Sequence, residues 1–506
     1  MTPPAVHLRP EDNVAVAARH LPDGADVLGV RLRERIGLGH KIALLPIKKG
    51  EAVRKYGQVI GFASRDIAPG ELVHVHNLGA DAFARDYAYC SEVPAPQPAA
   101  TPRTWQGYDR GDGRYGSRNY VALISTVNCS ASTSKYIAER FNRTDVLKRF
   151  PNVDGVLPIV HKAGCAMQYG GEDHRQLDRT LAGFARHPNV AAYILIGLGC
   201  ETGQALHLIE GEHLLQLNGS KKKPLVLSIQ ELGGIGKTVE AGVQAIAELL
   251  PRANDVKRVP LSADKIVLGT NCGGSDGNSG VTANPALGVA SDLLVAQGGT
   301  SILAETPEIY GAEHLLTRRA ISREVGEKLV ERIKWWEWYT GIFGTEINNN
   351  PSPGNKEGGL TTIYEKSLGA IAKGGSTALV DVLRYAEPVK RKGFVVMDTP
   401  GYDPVSMTGI VAGGANVLVF TTGRGSVFGC KPAPSIKVAT NTPLYQHMNS
   451  DMDIDAGVIL SGTPVAEVGA EIFEKILAVA SGERTKSELA GVGEEEFAPW
   501  AIGPTL

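Results

Sequence analysis

Six cysteines in 506 residues are too few for a disulfide framework, so the thiols read as reduced. Charge of either sign is not in excess either. The formal net charge of -2 argues against nucleic acid or an anionic membrane as the main partner. No apolar run reaches the roughly 18 residues of a membrane span, and the opening MTPPAVHLRPEDN has no signal-peptide core. The expected compartment is therefore the cytoplasm. What is present, 43% hydrophobic and 21% charged residues, is the composition of a soluble globular protein. Its length implies about two or three domains.

Residues 1–92 read as a small all-β module. Turns around glycine followed by an apolar pair recur at LPDGADV from Leu21, IKKGEAV from Ile47 and IAPGELV from Ile67. Short strands such as HKIALL and QVIGFA lie between them. Residues 93–106 form a linker, since VPAPQPAATPR is rich in Pro and Ala and has no periodicity. Residues 107–258 and 259–506 then alternate strands with helices, the boundary falling in the polar, basic stretch Asn254 to Arg258. Such alternation predicts an α/β fold with parallel sheets covered on both faces.

Four predicted strands run directly into cysteine: VALISTVNC to Cys129, VLPIVHKAGC to Cys165, AAYILIGLGC to Cys200 and IVLGTNC to Cys272. Parallel strands share a rim at their carboxyl ends, where open sheets bind ligands. A reduced cysteine is ordinarily a small buried hydrophobe, but four thiols on one rim suit a metal. Past Cys272 the glycines, Ser275, Asp276 and Asn278 suit backbone passing close to a ligand. In HVHN, His74 and His76 share a face if the strand continues, and with His40 they form an alternative metal site. Lys41, Lys55 and Tyr56 would equally suit an anion, making the module a cap over a substrate.

Several stretches imitate known motifs. GLGCETG, Gly197 to Gly203, is one residue from a dinucleotide fingerprint, and ELGGIGKT, Glu231 to Thr238, is a P-loop with Glu231 in place of its first glycine. A carboxylate there would repel phosphate, so ordinary strand-to-helix turns read better. NPSPGNKEGG, Asn350 to Gly359, holds too much Pro and Gly for regular structure and reads as a functional loop. SDMDIDAG resembles part of a calcium loop through Asp451, Asp453 and Asp455, without the closing Glu.

Taken together, GHKIAL, RKYGQVIG, VHVHN, HKAGC, GLGCE, CGGSDGNSGVTANPALG, ETPEIYGAEHLL, NPSPGNKEGGL, EKSLG, FTTGRGS and DMDIDAG resemble the altronate and galactarate dehydratase family of sugar-acid hydro-lyases. The resemblance implies a β-clip, antifreeze-like N-terminal domain and two Rossmann-like domains. It also implies dehydration of a sugar acid to its 2-keto-3-deoxy product with Fe2+, the alternatives being Mn2+ or an iron–sulfur cluster. On that reading some of Cys129, Cys165, Cys200 and Cys272, with His161, hold iron. His161 and Glu201 are then the acid–base candidates, with Lys162 a weaker one. Lys356 and Arg424 clamp substrate carboxylates. Ser275, Asp276 and Asn278 meet substrate hydroxyls, and His40 and Lys41 reach in from the module. A homodimer is the default assembly. Two competing readings are a sulfo-lyase releasing sulfite from sulfolactate and a nucleotide-dependent oxidoreductase resting on the near-miss glycine loops.

Overall fold

Strands rich in Val, Ile and Leu and buried on both faces lie at the centre of the two larger parts of the chain, as parallel sheets require. In the computed structural model, which describes residues 3–81, 83, 85–217 and 222–503, all eight residues of Val190–Gly197 are buried. This strand belongs to a four-stranded parallel sheet ordered Gly155–Ile159, Tyr120–Ser125, Val190–Gly197, Val226–Ser228. Helices Ala131–Asn142 and Ile235–Asn254 cover one face through Ile137, Phe141, Ile246 and Leu250. Helix Glu172–Ala185 covers the other through Leu177, Leu181 and Phe184.

The second parallel sheet has seven strands, ordered Leu379–Leu383, Gly393–Met397, Thr300–Leu303, Val267–Cys272, Val417–Thr422, Ser435–Ala439 and Ile454–Asp455. Its first strand in sequence, Val267–Cys272, is central. The chain first builds outward on one side of it and then returns to build on the other. The order therefore reverses between Val267–Cys272 and Val417–Thr422, and such a crevice at the carboxyl ends is where open sheets take ligands. Between the two sheets, the predicted boundary stretches pair with each other, Thr104–Asp109 running antiparallel to Val259–Ser262.

The N-terminal part is a small β domain of short antiparallel strands, with Val14–Ala17, Lys41–Ala43 and Gln58–Ala63 at its centre. Ala15, Leu21, Val27, Leu32, Ile36 and Ile42 form a small core of its own, while a second apolar side does not close on itself. Val14, Ile47, Val53, Ile60 and Val73 pack with Leu316, Leu329, Leu368 and Val396 of the large domain, so one core spans both. A buried ionic joint lies beside it. Lys41 donates to both oxygens of Glu365 at 3.0 and 2.8 Å and to the Gly359 carbonyl at 2.7 Å, and Lys55 donates to Glu365 at 2.9 Å and to the Gly277 carbonyl at 3.2 Å.

Four expectations change. HVHN is a turn closed by the Asn77 N–H on the His74 carbonyl at 2.9 Å, so His74 and His76 do not share a strand face, and His76 is exposed. Asn350 to Gly359 does contain regular structure, the one-turn helix Pro353–Glu357, because Ser352 and Asn355 form a capping box. The stretch that only partly resembles a calcium loop contains an edge strand: Asp453 accepts from the Lys437 and Lys486 N–H groups at 2.8 and 3.1 Å, and Asp455 from Gly457 at 2.8 Å. Gly233 and Gly234, both at positive φ, join two helices where a P-loop would follow a strand directly.

Candidate active site

At the crevice of the seven-stranded sheet a cleft of about 380 Å³ is lined by Cys272, Glu308, Asn350, Ser352, Asn355, Lys366, Tyr402 and Asp403, among others. Each side chain arrives from a different element. Cys272 ends a strand, Glu308 ends a short 3-10 turn, Lys366 lies on helix Ile363–Ala370 and Asp403 opens helix Asp403–Ala412. Asp403 lies over Gly273, where a Cβ would come within 2.3 Å of the carboxylate, so only glycine permits this approach.

The buried charges form one network. Lys366 donates to Glu308 at 2.6 Å and to the Asn350 amide oxygen at 2.8 Å, while the Asn350 amide N–H donates to Glu308 at 3.0 Å. Behind them Lys373 donates to the Cys272 sulfur at 2.8 Å and to Glu305 at 3.2 Å. Glu305 has φ of 65°, a strained position for a side-chain-bearing residue, and its N–H is fixed by the Thr399 hydroxyl at 2.8 Å.

Environment separates these groups by protonation. Burial, then the neighbouring Glu308 charge, pushes the Glu305 carboxyl up to about 8. Burial alone would raise Glu308 as well, but Lys366 and Lys373 overcome it and hold that carboxyl below its ordinary value. Burial, then the Glu308 charge, pushes Asp403 up to about 7, and burial pushes the Cys272 thiol up to about 12. The result near neutral pH is a protonated thiol, a fixed Glu308–Lys366 pair and two carboxyls shifted close to neutrality, of which Asp403 lines the cleft and is poised to exchange a proton.

One sulfur and two carboxylate oxygens, from Cys272, Glu305 and Glu308, lie within 4.8 Å of one another, a spacing that suits metal ligands. A resident divalent ion does not fit them as they stand. Lys373 already contacts both Cys272 and Glu305, and Lys366 pairs with Glu308, so each candidate ligand is already engaged by an ammonium.

The predicted site residues divide into three groups. Cys272 is buried in the interior behind this cleft, whereas Cys129, Cys165 and Cys200 are exposed on loops of the other sheet, so four thiols do not make one centre. His161 is buried with both nitrogens engaged: Nε2 donates to the Ser125 carbonyl at 2.9 Å and Nδ1 accepts the Ala163 N–H at 3.1 Å. Burial lowers its pKa to about 4, so it is a neutral ring fastening two loops and not a free base. Its replacement by alanine takes this partner from the buried Ser125 carbonyl and the part-buried Ala163 N–H. His161→Ala is therefore expected to cost about 1–3 kcal/mol in denaturant unfolding, and unchanged stability would refute the fastening role. Glu201 is likewise consumed locally, accepting from the Thr126 hydroxyl at 2.8 Å and the Leu198 and Gly199 N–H groups at 3.2 and 2.6 Å. That carboxylate fills the would-be phosphate position of the GLGCETG turn, removing support for a nucleotide. Lys162 is exposed.

The substrate-contact candidates lie near the joint with the β domain. Lys41 is fully buried in its pair with Glu365, so it holds the domains together and does not reach a ligand. Asp276 is spent on Ser279, Asn278, Thr440 and Asn441. The Ser275 hydroxyl and the Asn278 amide, by contrast, are buried without a partner, as expected of groups awaiting one. His40 and His74 stack at 5.5 Å between centroids, and His74 donates to the Lys356 carbonyl at 2.8 Å, so these rings do meet the Lys356 loop. They do not converge with His76 as a metal trio. Lys356 is half-buried, and Arg424 is exposed 3.5 Å from Glu357. Glu308, Lys366, Lys373 and Asp403 were given no role from the sequence, although Asn350 opens the loop read as functional and Glu308 and Lys366 lie in ETPEIYGAEHLL and EKSLG.

Comparison with known proteins covers nearly the whole chain. Residues 3–81 match the altronate/galactarate dehydratase SAF domain, 107–254 the D-galactarate dehydratase/altronate hydrolase second domain, and 263–505 the D-galactarate/altronate dehydratase C-terminal domain. The chain is 36% identical to altronate dehydratase of Bacillus subtilis (strain 168), covering 99% of each. It is 37% identical to altronate dehydratase of Escherichia coli (strain K12), over 94% of this chain and 95% of the relative. Galactarate dehydratase (L-threo-forming) of the same organism is 38% identical over 96% of this chain and 94% of its own. The chain belongs to the altronate/galactarate dehydratase family.

Proposed function

We propose that the chain removes water from a sugar acid of the altronate or galactarate type in the cleft beside Asp403, giving the 2-keto-3-deoxy acid. As a member of its family it is a hydro-lyase. The observation that carries the assignment to this cleft is a carboxyl held near neutrality next to a fixed ammonium, at the reversal point of the sheet.

Proton loss beside a carboxylate puts charge onto that carboxylate in the transition state, so the site must supply a base and a nearby cation. Asp403 takes the proton from the carbon next to the substrate carboxylate. Lys366 and the Asn350 amide, on one wall of the cleft, stabilise the enediolate that forms. The carbon–oxygen bond at the neighbouring carbon then breaks, and the departing hydroxide collects the proton held by Asp403 and leaves as water. The resulting enol rearranges to the keto acid, so no hydride or phosphoryl donor is needed. On this reading Ser275, Asn278, Lys356 and Arg424 are the contacts for hydroxyls and the far carboxylate, supported by the unpartnered Ser275 hydroxyl and Asn278 amide. Iron, which the resemblance implies, would supply a Lewis acid for a substrate oxygen when bound. The β-clip and Rossmann-like assignments belong to this reading too, supported by the short antiparallel strands of the first domain and the reversing strand order of the last.

The test is a substrate panel. Purified protein is expected to release keto acid from altronate or galactarate and no sulfite from sulfolactate. Sulfite release with no keto acid would overturn the assignment.

A further inference from the structure

A hollow lined by charges of one sign draws ligands of the other, and one such hollow lies where the two α/β domains meet. It encloses about 490 Å³, against about 380 Å³ for the Asp403 cleft, and no residue lines both. Helix Glu172–Ala185 presents Glu172, Arg175, Gln176 and Arg179 to it, a spacing of three and four that puts them on one face. Arg332 and Trp335 come from helix Arg323–Ile342, again three residues apart. Arg384 and Tyr385 follow strand Leu379–Leu383, and Asp398 follows Gly393–Met397, so part of the wall stands at the carboxyl edge of the large sheet. Trp500 belongs to the wall as well, fixed by the Gln176 amide on its carbonyl at 2.7 Å and stacked on Trp336 at 5.2 Å between centroids.

Four guanidiniums and two carboxylates line this space. Asp398 is already engaged: its Oδ1 accepts from the Thr306 hydroxyl at 2.6 Å and from the Trp336 indole N–H at 2.9 Å, and Arg332 stands 4.0 Å from its Oδ2. Arg332 also touches the exposed Glu331 beside it. Among the described residues Arg175, Arg179 and Arg384 form no ion pair. Arg179 donates to the Tyr385 carbonyl at 2.8 Å and Arg175 to the Gly170 carbonyl, contacts that orient a guanidinium without neutralising it. Burial pulls the Arg179 guanidinium below its ordinary value, a cost that an anion beside it would offset. Arg179, Arg332 and Arg384 also line an adjoining hollow of about 430 Å³, but there Lys328 meets Asp381 at 3.6 Å, and Glu331 and Glu387 add further acid. The surplus of positive charge therefore lies in the first.

We propose that this pocket binds a small organic anion carrying two or more separated acid groups, carboxylate or phosphate, at a site distinct from the Asp403 cleft. A guanidinium fork matches either group with two parallel bonds. The volume falls within the roughly 300–1,000 Å³ of small-molecule sites. A lone inorganic ion would leave most of that space, and the faces of Trp335, Tyr385 and Trp500, without contact, so the ligand has a carbon body. The site does not depend on the chemistry assigned to Asp403.

The experiment titrates the full chain with citrate, with fructose bisphosphate and with inorganic phosphate at constant ionic strength. Heat of binding and tryptophan emission are read together, since Trp335 and Trp500 line the pocket. Saturation at one ligand per chain is expected with citrate or with the bisphosphate, and which of them saturates tells carboxylate from phosphate. Arg175→Ala and Arg384→Ala should each weaken binding about tenfold or more without a change in Tm, because both side chains are exposed. Lys366→Ala, in the other cleft, should leave it unchanged. Saturation that survives both arginine variants, or that Lys366→Ala abolishes, would overturn the proposal. Saturation by inorganic phosphate alone, or by none of the three probes, would do the same.

Discussion

Replacing Asp403 with asparagine is expected to lower kcat by about 10²–10⁴-fold, the usual contribution of a positioned acid–base group, with little change in Tm. Asparagine keeps the size and the Asn271 contact at 3.5 Å but cannot take a proton. The wild-type profile of kcat/KM should rise with pH through about 7, because burial and the Glu308 charge place the carboxyl there and only its ionised form acts as a base. That limb should vanish in the variant. Wild-type turnover by Asp403→Asn, or the same limb surviving in it, would remove Asp403 from the chemistry. Lys366→Ala serves as a second probe, since losing the ammonium should raise the Asp403 pKa by way of an uncompensated Glu308 and so move the limb upward.

Glu365→Ala should have the largest effect on stability. It leaves the Lys41 and Lys55 ammoniums buried with no counter-charge, and breaking a buried ion pair from one side costs about 3–5 kcal/mol. The loss should appear as a lowered unfolding midpoint and as faster proteolysis of the 93–106 segment, where the β domain is tethered. Acid should act on the same joint. Burial alone would raise the Glu365 carboxyl, but Lys41 and Lys55 reverse this and hold it at about 2 against an ordinary 4.5. A carboxyl depressed in the folded state contributes fully above its unfolded pKa, so this stability is present above about pH 4.5 and fades as pH falls toward 2. The variant should show a flatter dependence in that window. Equal slopes for the two proteins would contradict the assignment.

How much of this was legible in the residues depends on range. Alternating apolar strands and helices announced the two parallel sheets, because that signal is local. HVHN misled for the same reason: a strand pattern four residues long cannot show that Asn77 folds back onto His74. Of the four thiols only Cys272 ends its strand, the others lying in the loops that follow theirs, and the boundary near residue 258 had already set Cys272 in a different α/β part, so a single rim for all four did not follow. His161 and Glu201 carry residue types that suggest catalysis, and only the backbone around them reveals that their polar atoms are already taken. Lys373 and Asp403 stayed hidden because nothing near them in the chain marks them, and Lys366 stood in the EKSLG string without a role of its own. They matter through neighbours dozens of residues away, and packing alone brings those together.

Glu365 and Lys366 are consecutive residues on one helix, yet one side chain grips the β domain and the other electrifies the cleft wall. Rocking the small domain would tug the very turn that aims the ammonium. Docking and reactivity are therefore mechanically geared, and a catalytic half supplied without its cap should idle even when correctly folded.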